Sequence, residues 1–447
     1  MEKKILNFPT TFWSANIIEL FERAAYYAVA SFVVIYLNET LGMSPTFATF
    51  LNGTLLWGIV YFFPILSGTL ADRFGFKKSL IFAFILISLG YFIMGNVQKF
   101  WPLIVGGGNN INYTFPIIVG IVFIGIGGSF VKPCISGTVQ KTAGVLATLG
   151  FGIFYMTINI GSMLGRTVSY FVRIKNGIPA IFTYVATVFA VIGFFVVVFL
   201  YKEPKYQEKT EDNKKVNKPK TLKEALVGMF IVLKNYKFVF FLIVIGFFWF
   251  IYVQIYNLIP LFLRYIDPKA PVELYTIINP IMIVLFQLLI TKFSKRWKPV
   301  KSIIFGVTVT VIGMLLNVLP FLLNLSPSHK SSLFGIIIPI GGIFMLLSIG
   351  SMAVGEMLAS PRIYEYIGAI APKGQEGLYL GYANLPMAIG TIIGAPIGGY
   401  LFEVFIKTPA KAGQHPKAPL MWVIVSAMGV LSILGLFLYD KYLIKEK

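Results

Sequence analysis

Cysteine and histidine are almost missing from this 447-residue chain, which has one Cys, at 134, and two His, at 329 and 415. A single thiol excludes an intramolecular disulfide and any Cys-based metal site, and two histidines in loops far apart cannot assemble a His-based metal centre or a Ser/His dyad. No Gly-x-x-x-x-Gly-Lys-Ser/Thr phosphate loop occurs, so nucleotide hydrolysis is not built in, and no cofactor or enzymatic activity is expected. Charge is scarce at 13% of residues, and acids (18) are outnumbered by bases (38). Apolar residues, by contrast, make up 57%, with a mean hydropathy of +0.79, far above what a soluble domain of this length could keep in solution. This is an integral membrane protein.

Twelve candidate spans are legible, at roughly 12–37, 46–70, 79–98, 115–137, 145–171, 180–201, 237–263, 274–292, 302–323, 333–368, 377–402 and 418–439, each near the length needed to cross a hydrocarbon core. The first run is too long and too charged for a cleavable signal peptide, and is expected to stay as a span. The net charge of +20 could suggest nucleic acid, but its distribution has a simpler cause. With the N-terminus placed inside, 25 of the 38 Lys and Arg fall in inner segments, 9 in outer connections and 4 (Arg23, Lys132, Arg166 and Arg362) within spans. Such an excess orients both termini and the central break toward the cytoplasm, as expected for a plasma (inner) membrane protein, with the basic loops against anionic lipid headgroups.

That break separates two sets of six spans. The expected organisation is a bundle over 1–201, a cytoplasmic linker over 202–236, and a second bundle over 237–447. The linker begins with a Lys- and Glu-rich run that cannot bury a core, and continues through an amphipathic stretch from Thr221 that suits the inner membrane surface.

The most unusual stretch lies in the first span: Glu19-Leu-Phe-Glu22-Arg23-Ala-Ala-Tyr26-Tyr27. A charge at membrane depth costs about 2.5–3.5 kcal/mol even on the lenient insertion scale, so it normally marks a pathway or a binding site. At about 100° per residue these five positions fall within one arc of roughly 140°, so the carboxylates, guanidinium and phenols share one helix face. The plainer alternative is a structural buried salt bridge. Lys132, alone in the fourth span, needs a partner or neutralisation, and Glu19 or Glu22 is the natural one. Arg23 stays charged and suits a carboxylate, which a planar guanidinium holds bidentately. Tyr26, Tyr27, Tyr155 and Asn159 offer neutral hydrogen-bonding groups; for the last two, ordinary interhelical packing is the alternative.

Gly68-Thr-Leu-Ala71-Asp72-Arg73-Phe-Gly75-Phe-Lys77-Lys78, after the second span, resembles the major facilitator signature, in which the acid and bases form a charge network at the cytoplasmic gate. Within that superfamily, Glu19, Glu22, Arg23, Tyr26 and Tyr27 match the first-helix pattern of the proton-coupled oligopeptide transporters, with Ala24 replacing a Phe. Further matches follow in order: Gly127-Gly128-Ser-Phe-Val-Lys132-Pro133, Phe154-Tyr155-Met-Thr-Ile-Asn159-Ile-Gly161-Ser162, Asn279-Pro280, Glu356-x-x-x-Ser360-Pro361 and Ala371-Pro372. Gly125-Ile-Gly127-Gly128 is mid-span and suits helix packing better than phosphate binding.

This resemblance implies an all-α fold of twelve transmembrane helices in two six-helix halves with a central cavity. It implies alternating access driven by protons, with di- or tripeptides as substrate and lipids as surroundings. Glu19, Glu22, Arg23 and Lys132 would couple protons; Asp72 and Arg73 would gate. Substrate would meet Arg23, Tyr26, Tyr27, Tyr61, Lys132, Tyr155, Asn159, Asn279, Glu356 and Tyr382. Three departures stand out. Val253 occupies the place of a helix 7 acid, Ala30 that of a helix 1 Arg, and Tyr382 that of a helix 11 Trp. The first two are thought to pair across the outer gate, so their joint loss leaves no stranded charge. Arg362 and Glu365 add charges that the family pattern lacks. They are a second ligand set, an inner gate pair or a structural i,i+3 ion pair, and the spacing favours the last; Arg166 stays open. With the helix 7 acid gone, a non-peptide organic anion or modified peptide is the competing substrate, and a non-transporting membrane receptor on the same scaffold the competing class.

Overall fold

The computed structural model describes residues 8–108, 111–143, 146–204, 234–333, 335–371 and 382–443. Most of the expected linker, its amphipathic stretch from Thr221, and Pro372 lie outside them. The long helices are α1 (Thr10–Ala30), α2 (Pro64–Phe74), α3 (Phe76–Val105), α4 (Thr114–Ala143), α5 (Ala147–Asn176), α6 (Thr187–Phe199), α7 (Tyr236–Tyr252), α8 (Ile278–Ser294), α9 (Pro299–Leu315), α10 (Ile340–Ile370), α11 (Leu385–Phe402) and α12 (Ala418–Leu438).

Among the described residues, nine helices are long and apolar enough to cross a membrane. Two bent pairs raise this to eleven: Thr10–Ala30 with Val33–Thr40, at 41°, and Pro45–Phe62 with Leu66–Phe74, at 45°. The twelfth segment is α5, whose 30 residues reach about 45 Å but are diluted by Asn, Ser, Thr and Arg166. One departure from an all-helical chain is a hairpin of β1 (Lys330–Leu333) and β2 (Ile336–Pro339). Three consecutive isoleucines favour the strand, and Gly335, at φ +81°, makes the turn.

Two compact units emerge from the packing: Met1–Val29 with Phe62–Met229, and Ala30–Tyr61 with Phe230–Lys447. In the first, small residues set the helix contacts. A Cβ on Gly127 of α4 would come within 2.6 Å of the Ala83 carbonyl oxygen of α3, and one on Gly161 of α5 within 2.6 Å of the Leu20 carbonyl oxygen of α1. Backbone can approach this closely where no side chain intervenes, which matters in lipid because apolar burial supplies little net drive between helices. Ser169 of α5 then donates to the Ala28 carbonyl at 2.9 Å. At the start of α3, Glu203 accepts from the Phe76 and Lys77 amides at 2.7 and 2.9 Å, so two of the helix's orphan donors are satisfied.

In the second unit α9 packs on α10 through Gly306 and Gly355, each held to the other's carbonyl by the lack of a Cβ. The seventh span is broken. After Tyr252 it passes through a 3₁₀ turn, Val253–Ile255, and resumes as Leu258–Ile266. Asn257, outside regular helix at φ −123°, accepts at its Oδ1 from Asn52 at 3.1 Å and donates to the Val253 carbonyl at 2.9 Å. Gln254 donates to the carbonyls of Phe250 and Gly394, tying the break to α11. Buried amides here use side chains where the helical ladder lapses.

Candidate functional site

In the first unit the polar face of α1 is buried against α4 and α5. Glu19 and Glu22 are 1% and 4% exposed. Arg23 Nε pairs with Glu22 and lies 3.4 Å from Glu19 Oε1, so one guanidinium serves two carboxylates. Its other neighbour is Tyr26, whose ring centroid lies 5.2 Å from the guanidinium carbon. Tyr26 meets Tyr27 edge-on at 5.0 Å, and Tyr27 in turn lies 4.6 Å from the guanidinium carbon of Arg166. The result is a ladder of cation, ring, ring, cation along α1 and α5. Close approach at Gly161 and Gly165 makes it possible, because the same α5 turn carries Arg166 and Ser162, which are hydrogen-bonded to each other.

Lys132 reaches this cluster from α4, where Pro133 follows it inside the helix. Pro133 has no N–H to give the Ser129 carbonyl, four residues back, and Ser67 Oγ of α2 donates to that carbonyl at 2.7 Å instead. The expected ion pair of Lys132 with a helix 1 acid is not formed. Among the described residues Lys132 has no partner within ion-pair distance, although it lies within electrostatic range of Arg23, Glu19 and Glu22. The physical reason is competition: Arg23 is on the same helix as both acids and takes them first. Glu19 Oε2 is left buried with no hydrogen bond among the described residues.

The second unit carries its own acid. Glu356 of α10 accepts from the Tyr252 hydroxyl at 2.5 Å and from Asn279 Nδ2 of α8 at 3.2 Å; Asn279 also donates to Tyr252 at 3.2 Å. A phenol from α7 and an amide from α8 thus converge on one oxygen of the α10 carboxylate, Glu356 Oε2. No basic side chain pairs with Glu356 among the described residues. Tyr252 is a site residue that sequence reasoning passed over, because nothing in the sequence links position 252 to position 356. Val253, its neighbour, is 1% exposed and packed as an ordinary apolar side chain.

Other expected site residues are not gathered. Asn159 donates to the Tyr155 carbonyl one turn back at 2.9 Å, within its own helix, and Tyr155 is 41% exposed. Tyr61, half-buried, lies edge-on to Trp57 at 5.7 Å. Tyr382 is buried against Phe238, its hydroxyl without a hydrogen bond among the described residues. Asp72 and Arg73 are exposed at the end of α2 and form no ion pair among the described residues; the acid that engages the start of α3 is Glu203, which follows α6 in the chain. Arg362 and Glu365 form the i,i+3 pair at 2.6 Å, and Arg362 also donates to the Ser294 carbonyl at 2.7 Å.

The sequence pattern of the Major Facilitator Superfamily matches residues 16–362. The chain belongs to that superfamily. It is 24% identical to "Multidrug resistance protein MdtH" of Sodalis glossinidius over 385 residues, 83% of this chain and 80% of that protein. It is 29% identical to "Dipeptide and tripeptide permease B" of Aliivibrio fischeri over 175 residues, 37% of this chain and 31% of that one. Among solved structures, that of an auto inhibited POT family peptide transporter superposes with a TM-score of 0.72 at 17% identity, covering 97% of each chain. The major facilitator fold of twelve transmembrane helices is therefore this protein's fold.

Proposed function

We propose that this major facilitator protein is a divergent proton-coupled oligopeptide transporter that imports di- or tripeptides by alternating access, lying in the plasma membrane with both termini cytoplasmic. The observation that carries the reading is the buried cluster in which Arg23 holds Glu19 and Glu22 while one Glu19 oxygen has no hydrogen bond among the described residues. Leaving a buried polar atom without a hydrogen bond costs about 1–3 kcal/mol, and a proton bound there would remove the charge that makes it costly. In a transporter that oxygen is free to carry a proton. Protonation of a carboxylate releases part of Arg23 for a substrate carboxylate, which Lys132 helps to hold. Glu356, whose partners Tyr252 and Asn279 are both neutral, has its charge available for a substrate ammonium. Asp72 and Arg73 remain candidates for the cytoplasmic gate.

The test is Glu22→Gln reconstituted in liposomes. Uptake driven by a pH gradient is expected to disappear while exchange without net proton movement survives in part. Survival of both modes unchanged removes the helix 1 carboxylates from coupling. A second reading, an organic anion or modified peptide as substrate, is favoured by Val253, which supplies no acid where the resemblance would place one. The relatives named for multidrug resistance keep non-peptide cargo in view.

A further inference from the structure

The far ends of the first and seventh spans meet within the second unit. Arg264 of the Leu258–Ile266 helix grips Glu39 with Nε, 3.1 and 3.2 Å from its two oxygens, and with Nη2, 2.6 Å from one of them. Beside this pair lies an open cavity of about 330 Å³, lined by the buried Leu261 and Phe402 and by Lys407 and Lys411. The two lysines follow α11 one helical turn apart, so both ammonium groups address one side. Glu403, the other acid on that stretch, is held by Thr46, whose hydroxyl donates to it at 2.5 Å. The lining therefore carries three cations and one carboxylate. Nη1 of Arg264 and the Nζ atoms of both lysines make no hydrogen bond among the described residues.

Solvated surface lysines are common, but these two line a concavity that also presents buried apolar side chains and a guanidinium already oriented by Glu39. That combination recognises carboxylate: charge excess attracts it and the planar guanidinium edge orients it. We propose that this pocket binds a small dicarboxylate, which competes with Glu39 for Arg264. The proposal is independent of the peptide-transport reading and uses none of the residues assigned to it. Its volume suits a ligand of a few carbons, and two negative charges match the excess of the lining.

The experiment is calorimetric titration of succinate into the purified full-length protein, repeated in nanodiscs of phosphatidylcholine with and without phosphatidylglycerol. Saturable binding is expected, weakened about tenfold or more in the double variant Lys407→Gln/Lys411→Gln. Glu39→Gln removes the competing carboxylate and is expected to tighten binding by about threefold or more. A role in folding alone would not produce that gain, so this variant decides the matter even if the lysine variant is poorly folded. Glu356→Gln is expected to leave succinate affinity unchanged. The proposal is overturned by absence of saturable binding, by weaker binding in Glu39→Gln, by loss of binding in Glu356→Gln, or by displacement of succinate by phosphatidylglycerol, which would assign the pocket to a lipid headgroup.

Discussion

Arg23 faces two carboxylates, and that imbalance is what gives α1 its chemistry. Breaking a buried ion pair by removing one partner typically costs about 3–5 kcal/mol, because a charge is left uncompensated. Arg23→Gln should therefore abolish transport and also lower the melting temperature, whereas Glu22→Gln leaves the Arg23–Glu19 contact in place and should melt closer to wild type. Equal destabilisation by both variants would speak for a structural bridge. Arg166 is the counterpart at the other end of the ring ladder. A desolvated cation over a ring contributes about 2 kcal/mol, so Arg166→Gln is expected to reduce thermal stability measurably, with Arg166→Lys intermediate because ammonium lacks the planar stacking face. A melting curve for Arg166→Gln identical to wild type would remove the ladder from the account. The helix 1 cluster was legible in the sequence because its members are three and four residues apart on one helix. Lys132 was legible as a member but not as a partner, since nothing in the sequence says that Arg23 wins both acids.

Among the elements, the α1–α5 contact positions the cluster, and it rests on backbone approach. Adding a side chain at Gly161 brings a Cβ within 2.6 Å of the Leu20 carbonyl and 2.9 Å of Arg23 Cβ, so Gly161→Val must push α1 away. Overpacking of this kind typically costs about 1–3 kcal/mol. Transport should fail in Gly161→Val although every charged residue is retained. Gly152, on the same helix with nothing within 4 Å of its would-be Cβ, is the control, and Gly152→Ala should be neutral or mildly stabilising. Comparable loss in both variants, read by uptake and by thermal melting, would contradict the contact. Span positions were legible from length and hydropathy, which act over some twenty residues at once. The breaks were not. Ser31–Phe32 and Val253–Asn257 carry no proline, and their stability comes from partners distant in sequence: Ser31 with Thr276, and Asn257 with Asn52. The loss of charge at Ala30 and Val253, visible in the sequence, thus coincides with neutral hydrogen bonds that were not visible there.

For the whole molecule, fold and superfamily follow from twelve helical segments and from the match across residues 16–362. The orientation argued from 25 inner against 9 outer basic residues predicts that a cysteine introduced at Asn109 is labelled from outside and one at Asn213 from inside; the reverse pattern would overturn it. The substrate was the least legible property: on the proposed peptide reading it turns on Glu356, which is held by Tyr252 and Asn279, groups 104 and 77 residues away. A peptide ammonium left uncompensated in a low-dielectric site costs several kcal/mol, so a free-peptide transporter needs this acid. The most direct measurement is the affinity of one dipeptide and of its N-acetylated form, on wild type and on Glu356→Gln. Peptide import predicts that the wild type prefers the free amine and that the variant loses this preference while keeping its affinity for the acetylated form. Equal affinity of the two forms for the wild type would contradict it and point instead to an organic anion or N-blocked substrate.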